Sequence, residues 1–325
     1  MKNLSGRLWL GCVILLLGCC VLNLMAGSIS LWPEHGDFSL NGFQRTALLD
    51  IRLPRLCMAA LGGALLGASG LMLQTLMRNP LAAPDVVGVT AGAAVMAAAT
   101  LIVAPQISNE SLAVLASVGA LLGFLLAYVL ARQGGDVSPT RLALTGVAVG
   151  ATLLAVEHFL LLMAPADITP SLSFIAGTVY GVDWHRVKAL WPVAVCLLGV
   201  ALFFSSSLDV LALEEDTVKS LGFPLKSRRA FLLLLAATLT GWGVAGAGIL
   251  GFVGLIAPQI AKRKVGVSHF QRLLMTMMWG AILVVVADFL GRIIAPPLEI
   301  PVGIVTTLIG TPYFLWLLIR GVRHG

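Results

Sequence analysis

The feature that most constrains this chain is a series of long apolar runs that occupies most of its length. A helix needs about 20 apolar residues to cross a hydrocarbon core about 30 Å thick, and runs of that length recur from one end of the chain to the other. Only 11% of the 325 residues are charged, whereas about a quarter are charged in soluble domains. The chain therefore has too few polar side chains to cover a surface that faces water. We predict an all-α, polytopic membrane protein.

The apolar runs predict about ten transmembrane helices in a single domain that covers residues 1–325. The first run follows Lys2 and Arg7, as in a signal peptide, but it is long enough to span a membrane, and we interpret it as a retained helix. A segment at 170–182 is too short to span and is predicted to be re-entrant or interfacial. The predicted spans lie near residues 8–28, 54–77, 86–105, 111–131, 141–164, 187–207, 229–249, 251–262, 272–294 and 302–320.

The distribution of Lys and Arg predicts the orientation, because the cytoplasmic loops of membrane proteins are enriched in both residues. With a cytoplasmic N-terminus and alternating spans, fifteen of the 21 basic residues fall on the cytoplasmic side and six fall outside. We therefore predict that both termini are cytoplasmic, and we call the two ends of the bundle the inner end and the outer end. The same distribution accounts for the net charge of +6, so no nucleic-acid partner is predicted.

Two sequence patterns limit the chemistry that we expect. The five cysteines lie in apolar runs with neither a CxxC motif nor a flanking histidine, so we predict no disulfide and no metal site. The sequence contains no G-x-x-x-x-G-K-[ST] motif, which cradles nucleotide phosphates in P-loop ATPases. If ATP drives the protein, ATP and Mg²⁺ would bind to a partner, and the chain itself is predicted to hold no cofactor and no catalytic residue.

Glycine pairs four residues apart predict a tightly packed bundle. Gly63 with Gly67 and Gly88 with Gly92 are examples. Small residues one turn apart let helix backbones approach closely in lipid. The pattern is common in membrane bundles and indicates nothing about a substrate.

The longest polar stretch in the second half of the chain, residues 205–229, lies on the predicted inner side. Asp209 is a candidate helix N-cap, and Gly222 followed by Pro224 would end the helix. We interpret residues 209–222 as one short amphipathic helix that lies across the inner face and docks into a groove of a partner. The alternative is a solvated loop. The candidate coupling residues are Asp209, Leu213, Glu214, Glu215, Val218, Leu221 and Gly222.

Gln74, Glu157, His158 and Asp288 lie in or near predicted spans. Ionisable groups inside a membrane are costly and usually face the bundle interior or a water-filled path. Glu157 and His158 are adjacent and cannot share a helix face, so we expect one to line a path while the other packs. Gln74, Glu157 and His158 are our candidate pathway-lining residues, and we do not predict that they bind metal.

Three arginines lie at the predicted outer end, where basic residues are unexpected. Arg52 and Arg55 share a helix face because one turn separates them, and Arg292 ends the ninth predicted span. Arg forms bidentate pairs with carboxylates, so our hypothesis is that these residues dock a protein that presents carboxylates. The alternatives are lipid anchoring and, for Arg292, a local pair with Asp288 four residues earlier.

Five motifs occur in a fixed order along the chain: RLPR, GLMLQTLMRNPLAAPDVVGVTAGA, LALEEDTVKSLG, GILGFVGLIAPQIAKRKVG and ADFLGRIIAPPLEIPVGIVTTLIGTPYFLWLL. In this combination the chain resembles the FecCD-type, BtuC-like permeases of bacterial ATP-driven importers for iron(III)-siderophores, haem and vitamin B12. The resemblance covers nearly the whole chain. The segments PPLEIPVG and LALTGVA are most similar to ferric-dicitrate and ferric-siderophore permeases.

The resemblance implies a ten-helix permease subunit of the bacterial inner membrane that imports an iron(III)-siderophore-type chelate, with vitamin B12 and haem as alternatives. It implies a second permease subunit, identical or homologous, two ATPase subunits on the inner side, and a periplasmic binding protein. Glutamates of the binding protein would meet arginines at the positions of Arg52, Arg55 and Arg292. The 209–222 helix would move with the ATPases, and the fifth and tenth spans would line the path.

One residue departs from the resemblance. The family commonly has a histidine after the GLIAP segment, and Gln259 stands there instead. A glutamine side chain still forms hydrogen bonds but does not titrate near neutral pH. We therefore expect no role for a protonatable group at this position.

Two other function classes fit the sequence less well than the importer. A secondary transporter driven by an ion gradient would show inverted repeats and several buried carboxylates, and neither stands out in the sequence. An intramembrane enzyme would need a catalytic set within the spans, and neither Asp288 nor His158 has an obvious partner in the sequence. We therefore favour the permease of an ATP-driven importer.

Overall fold

A computed structural model of the chain describes residues 2–25, 42–132, 137–163, 174–220, 222–264, 268–296 and 298–322. Within these ranges the regular structure is helical and contains no strand, which confirms the predicted all-α class. A π-helical turn, Ala47–Arg52, and a 3₁₀ turn, Pro84–Val87, supplement the α-helices. The α-helices are α1 (Lys2–Met25), α2 (Gly42–Thr46), α3 (Leu53–Leu76), α4 (Val89–Val103), α5 (Asn109–Ala131), α6 (Pro139–Met163), α7 (Trp184–Phe203), α8 (Ser205–Leu211), α9 (Glu215–Ser220), α10 (Leu225–Ala247), α11 (Val253–Lys264), α12 (His269–Ile293) and α13 (Val302–Val322).

Ten of these helices coincide with the ten predicted spans. Seven stretches are long and apolar enough to cross a membrane; they belong to α1, α3 with the turns before it, α5, α6, α7, α10 and α12. Two shorter apolar stretches belong to α4 and α13, and α11 has only 12 residues. Helix α11 corresponds to the shortest predicted span, 251–262, whose apolar run is flanked by glycine and proline.

The expected re-entrant segment at 170–182 is described only from residue 174 onwards. That part contains a short helical turn at 174–175, and it packs into the bundle through its backbone. The Gly303 N–H donates to the Gly177 carbonyl at 2.9 Å, and the Ile249 N–H donates to the Phe174 carbonyl at 3.4 Å. The segment therefore joins the start of α13 to the chain that follows α10.

Helix α3 lies at the centre of the bundle and packs against α10, α11 and α12. Glycines make this possible, because their backbones touch those of the neighbouring helices. A Cβ atom on Gly63 would lie 2.2 Å from the Gly280 carbonyl oxygen of α12, and one on Gly70 would lie 1.8 Å from the Gly254 oxygen of α11. The predicted close packing is therefore present around Gly63, and part of the α3 surface admits no side chain at all.

Helix α6 lies at the periphery. Only 22% of the residues in its most apolar stretch are buried, compared with 83% for the stretch that contains α3. Large apolar side chains project outward from α6, with Leu144 68% exposed and Leu162 86% exposed. Such a surface suits lipid or another apolar protein surface.

Candidate docking, coupling and pathway sites

The outer end of the bundle holds the C-terminus of α1, which Arg52 and Arg292 cap. The last carbonyls of a helix lack intrahelical partners and carry partial negative charge, so cations stabilise them. The Arg52 Nη1 donates to the carbonyl oxygens of Leu24 at 2.7 Å and Met25 at 3.2 Å. The Arg292 Nη2 donates to the Asn23 carbonyl oxygen at 2.7 Å.

Asp288 is the carboxylate at the centre of this cluster and is fully buried. Its Oδ1 accepts from Arg55 Nε at 2.8 Å and lies 2.7 Å from Arg55 Nη2. Its Oδ2 accepts from Asn23 Nδ2 at 3.0 Å and lies 3.5 Å from Arg292 Nε. The local pair between Arg292 and Asp288 that the sequence left open is therefore present, and Asp288 also has a partner, Arg55, that sequence reasoning missed.

Arg55 has a second carboxylate partner, Glu299, in the segment between α12 and α13. The Arg55 Nη1 donates to Glu299 Oε2 at 2.7 Å. The Glu299 side chain is 35% exposed, whereas those of Arg55 and Asp288 are 9% and 0% exposed. Of these three charged side chains, only that of Glu299 therefore reaches the surface. The docking role of Arg52, Arg55 and Arg292 stays a prediction, and in the free chain all three guanidinium groups bind within the bundle.

At the inner end, the prediction of a single helix over residues 209–222 is wrong, because the helix is interrupted. The structure contains two short helices, α8 and α9, with a break at residues 212–214. The carbonyl oxygen of Glu214 accepts from the Val218 N–H at 3.0 Å, so α9 begins at the acidic cluster. Glu214, Glu215 and Asp216 therefore occupy a helix start, where negative charge is favoured, and not the interior of a longer helix.

Asp209 lies within α8 and does not cap its own helix, which corrects the sequence-based prediction. Its Oδ1 accepts the backbone N–H of His269 at 2.9 Å and lies 2.7 Å from His269 Nδ1. It thereby satisfies an N–H that α12 leaves without a partner at its first residue. The His269 ring is buried, and its Nε2 lies 3.2 Å from Thr75 Oγ1 in α3. One carboxylate thus joins α8 to α12, and the imidazole extends the link to α3.

Two further contacts tie the candidate coupling segment, residues 209–222, to the spans. Glu215 Oε1 accepts from Arg229 Nη2 of α10 at 2.8 Å, and this bond to Arg229 is the main reason that the pKa of the Glu215 carboxyl is lowered. Arg78, just after α3, donates to the Leu213 carbonyl. Helices α8 and α9 with their connection are therefore attached at separate points to α12, to α10 and to the chain just after α3.

The remaining candidate coupling residues differ in exposure. Val218 is fully buried, Leu213 is 44% exposed, and Glu214 is exposed. Gly222 has φ +67°, a conformation that glycine adopts at little cost after a helix. Leu221 lies outside the described residues. The ATPase-coupling role of the set stays a prediction.

Gln74 is buried between α3 and α11 and compensates for a proline. Pro258 has no N–H to give to the Gly254 carbonyl one turn earlier in α11. The Gln74 Nε2 lies 3.5 Å from that oxygen and donates to the Leu255 oxygen at 3.2 Å. Gln259 Nε2 in turn donates to Gln74 Oε1 at 2.8 Å and to the Pro80 oxygen at 2.7 Å. This arrangement gives Gln74 and Gln259 a structural role, and a path-lining role of Gln74 stays a prediction.

A cavity of about 450 Å³ lies between α4, α6 and the 3₁₀ turn, and Glu157 lines it. The neighbouring His158 faces away and its side chain is 74% exposed, with Nε2 3.8 Å from Glu157 Oε2. The two side chains thus lie on different faces of α6, as their adjacency predicts, but His158 is exposed and does not pack. A path-lining role of Glu157 and His158 stays a prediction. The described residues that line it include two carboxylates and no basic side chain; they are Asp85, Val86, Thr90, Ala91, Ala94, Val147, Gly150, Ala151, Leu154, Glu157, Ile175 and Ile249.

Among the residues that the structure describes, no three His, Cys, Asp or Glu side chains cluster closely enough to hold a metal ion. Sequence reasoning also missed a structural role of Arg186 at the outer end. Its Nη2 donates to the Ala245 carbonyl near the end of α10 at 2.6 Å. Together with Arg52 and Arg292, it shows that arginines at the outer end satisfy the last carbonyls of helices that run outward.

Comparison with known proteins identifies the family. The Fe(3+) dicitrate transport system permease protein FecD of Escherichia coli (strain K12) is 38% identical over 307 residues, which cover 94% of this chain and 96% of that protein. The achromobactin transport system permease protein CbrC of Dickeya dadantii (strain 3937) is 38% identical over 325 residues, covering 98% and 92%. The cobalamin import system permease protein BtuC of Halobacterium salinarum is 39% identical over 268 residues, covering 82% and 72%.

The fold agrees with these relatives. A metal-chelate type ABC transporter solved in an inward-facing conformation superimposes with a TM-score of 0.84 and 26% sequence identity, covering 97% of this chain and 99% of that one. The family model of the FecCD transport family matches residues 14–320. This chain belongs to the FecCD transport family.

Proposed function

We propose that this chain is the transmembrane permease subunit of an ATP-driven importer that moves an iron(III)-siderophore-type chelate from the periplasm to the cytoplasm across the bacterial inner membrane. The ferric dicitrate and achromobactin permeases among its relatives support this cargo class. The chain acts as a transport subunit, and separate ATPase subunits bind and hydrolyse ATP with Mg²⁺.

The observation that carries the proposal is the attachment of the coupling segment at the inner end. Asp209, Leu213 and Glu215 contact α12, the end of α3 and α10 respectively. A partner that pushes on α8 and α9 from the inner side therefore acts on three spans at once. Exposed Glu214 and half-exposed Leu213 supply polar and apolar contacts for such a partner. A secondary transporter has no need of such a surface.

The transport path runs along the cavity beside α6, at the interface with a second permease subunit. The apolar exposed face of α6 supports this, because such a surface requires lipid or a protein partner, and the cavity lies beside it. Glu157 and Asp85 offer hydrogen-bond acceptors to a chelate that passes through. The periplasmic binding protein docks at the outer end near Arg55 and delivers the chelate there.

ATP and the loaded binding protein do work on this system only if each favours one conformation of the permease over the other. Nucleotide binding in the ATPases moves α8 and α9, and their three attachments carry the motion to the spans. Cobalamin remains a second candidate cargo, because the chain is 39% identical to the Halobacterium salinarum cobalamin permease over 268 residues. Haem is the third.

Uptake assays test this function. A strain that lacks this gene is grown on a panel of iron(III) chelates, haem and cobalamin, and proteoliposomes that hold the chain with its candidate ATPases are loaded with ATP. We expect growth defects on iron(III) chelates alone, and uptake that requires ATP and the ATPases. A matched preparation in which residues 214–220 are scrambled should lose ATPase association while remaining folded. Accumulation by the chain alone without nucleotide would contradict the proposal.

A further inference from the structure

We propose that Glu299 is an exchangeable carboxylate that occupies Arg55 in the free permease and yields it to a carboxylate of the docked binding protein. This inference rests on the proposed docking function and adds a regulated step to it. It accounts for the burial of Arg55, whose side chain is only 9% exposed, at a site where a partner has to reach it.

Arg55 holds two carboxylates that differ in how easily they are replaced. Asp288 is fully buried, bonds Arg55 at 2.8 Å and is shared with Asn23 and Arg292. Removing it would leave buried charge unpaired, which is costly. Glu299 bonds the other terminal nitrogen at 2.7 Å and is 35% exposed. An incoming carboxylate can therefore replace Glu299 with a bond of the same chemistry, whereas Asp288 stays in place.

The charge balance of the cluster favours such an exchange. Arg52, Arg55 and Arg292 carry three positive charges, and Asp288 and Glu299 carry two negative charges. These five side chains sum to +1, and the four that stay in contact sum to +2 when Glu299 rotates into solvent. The cluster therefore attracts an external carboxylate most strongly at the moment when Glu299 leaves.

The backbone around Glu299 is fixed, so the exchange needs only rotation of the side chain. Directly after Glu299, the Ile300 N–H donates to the Gly291 carbonyl of α12 at 2.9 Å. Three residues further on, the Gly303 N–H donates to the Gly177 carbonyl at 2.9 Å. Glu299 itself is outside any helix. Rotation of a partly exposed side chain is fast compared with transport.

Exposed apolar and aromatic side chains border the exchange position. The Arg55 guanidinium carbon lies 5.9 Å from the centre of the Tyr180 ring, and Tyr180 is 67% exposed. Leu298, next to Glu299, is 74% exposed, and Ile294 at the end of α12 is 60% exposed. Aromatic residues and arginines are enriched among the side chains that dominate protein interfaces. The occupant that fits is therefore a protein surface with a projecting Glu or Asp beside apolar contacts.

The experiment measures the affinity of the permease complex, held in lipid nanodiscs, for the periplasmic binding protein that supports its uptake. Glu299→Gln removes the competing carboxylate, and we expect binding about two- to fivefold tighter, the effect of one half-exposed ion pair. Arg55→Lys keeps the charge but loses the guanidinium fork, and we expect weaker binding. Glu110→Gln is the matched control, because Glu110 is a 33% exposed carboxylate that pairs with His185 at the same end. We expect the Glu110→Gln permease to bind the binding protein with unchanged affinity.

The outcomes separate the inference from the proposed function. Weaker binding by Arg55→Lys together with unchanged or weaker binding by Glu299→Gln would overturn the exchange and leave docking at Arg55 intact. Unchanged binding by both variants would overturn docking at Arg55 and the exchange with it. In the double variant, the gain from Glu299→Gln should shrink, because the Arg55→Lys substitution has removed the fork that the external carboxylate takes. A gain of the same size in the single and the double variant would also contradict the exchange.

Discussion

The two ends of the bundle hold their charges differently. At the outer end, Asp288 is fully buried and binds two arginines of the spans, so the cluster is part of the packed interior. At the inner end, the Asp209 and Glu215 side chains are 42% and 38% exposed, and each holds one partner in another helix. Buried charge is expensive to separate, whereas half-exposed pairs are worth little individually. We therefore call the outer cluster a clamp and the inner pairs tethers, because only the inner pairs are half-exposed and cost little to separate.

Asp288→Asn tests the clamp and should have the largest effect. It leaves Arg55 and Arg292 without their shared carboxylate, so we expect a loss of about 3–5 kcal/mol in the free energy of unfolding. Thermal unfolding in detergent measures it. Glu299→Gln, which removes the partly exposed partner of the same Arg55, should cost at most about 1 kcal/mol. Equal losses in the free energy of unfolding for Asp288→Asn and Glu299→Gln would contradict the idea that the buried carboxylate stabilises the fold more than the exposed one.

Asp209→Ala tests the tether to α12 and should have an intermediate effect. It removes the acceptor of the His269 N–H, so we expect a loss of about 1 kcal/mol, the typical value of a helix N-terminal cap. Asn caps about as well as Asp, so Asp209→Asn should keep most of the stability. We expect Asp209→Ala to transport less per ATP hydrolysed and Asp209→Asn to stay close to the unsubstituted protein, measured by parallel uptake and ATPase assays. If Asp209→Ala transports as much chelate per ATP hydrolysed as the unsubstituted protein, Asp209 does not transmit motion from the ATPases to α12.

The pair of Glu215 and Arg229 should contribute least to stability. A double-mutant cycle with Glu215→Gln and Arg229→Met should give a coupling free energy of about 0.2–1 kcal/mol at neutral pH. The pKa of Glu215 is lowered in the fold, mainly by its bond to Arg229, so the contribution is complete above the ordinary carboxyl pKa of about 4.3 and is lost as pH falls through the folded value. Repeating the cycle at acidic pH should abolish the coupling. Coupling that grows at acidic pH would contradict the assignment.

The sequence predicted the helices well because a membrane span depends on a local property, the length of an apolar run. Even α11, bracketed by glycine and proline, was found within two residues of its observed start and end. The sequence predicted the site residues less well, because their partners lie far away in the chain. Arg55 and Asp288 are separated by 233 positions, and no local pattern predicts that they meet.

Two signals were nevertheless available in the sequence, one local and one from the predicted topology. The consecutive acids Glu214, Glu215 and Asp216 are typical of a helix start, and they mark the break that divides the predicted coupling helix. The second signal comes from the predicted topology: Arg52 and Arg292 fall at the same outer end at which the first span finishes, and unpaired carbonyls at a helix end attract cations. The tether from Asp209 to His269 carries no such signal, since it depends on how α8 crosses the start of α12.

The glycine contacts around α3 limit how this protein changes shape. At Gly63 and Gly280, and again at Gly70 and Gly254, the backbone of α3 touches that of a neighbour with no side chain between them. A lengthwise slide would drive a bulkier residue of α3 into a carbonyl oxygen, so α3 and its neighbours are restricted to rocking about these points. We therefore expect larger displacements in loosely buried helices such as α6, at the rim of the bundle, than in α3 at its centre.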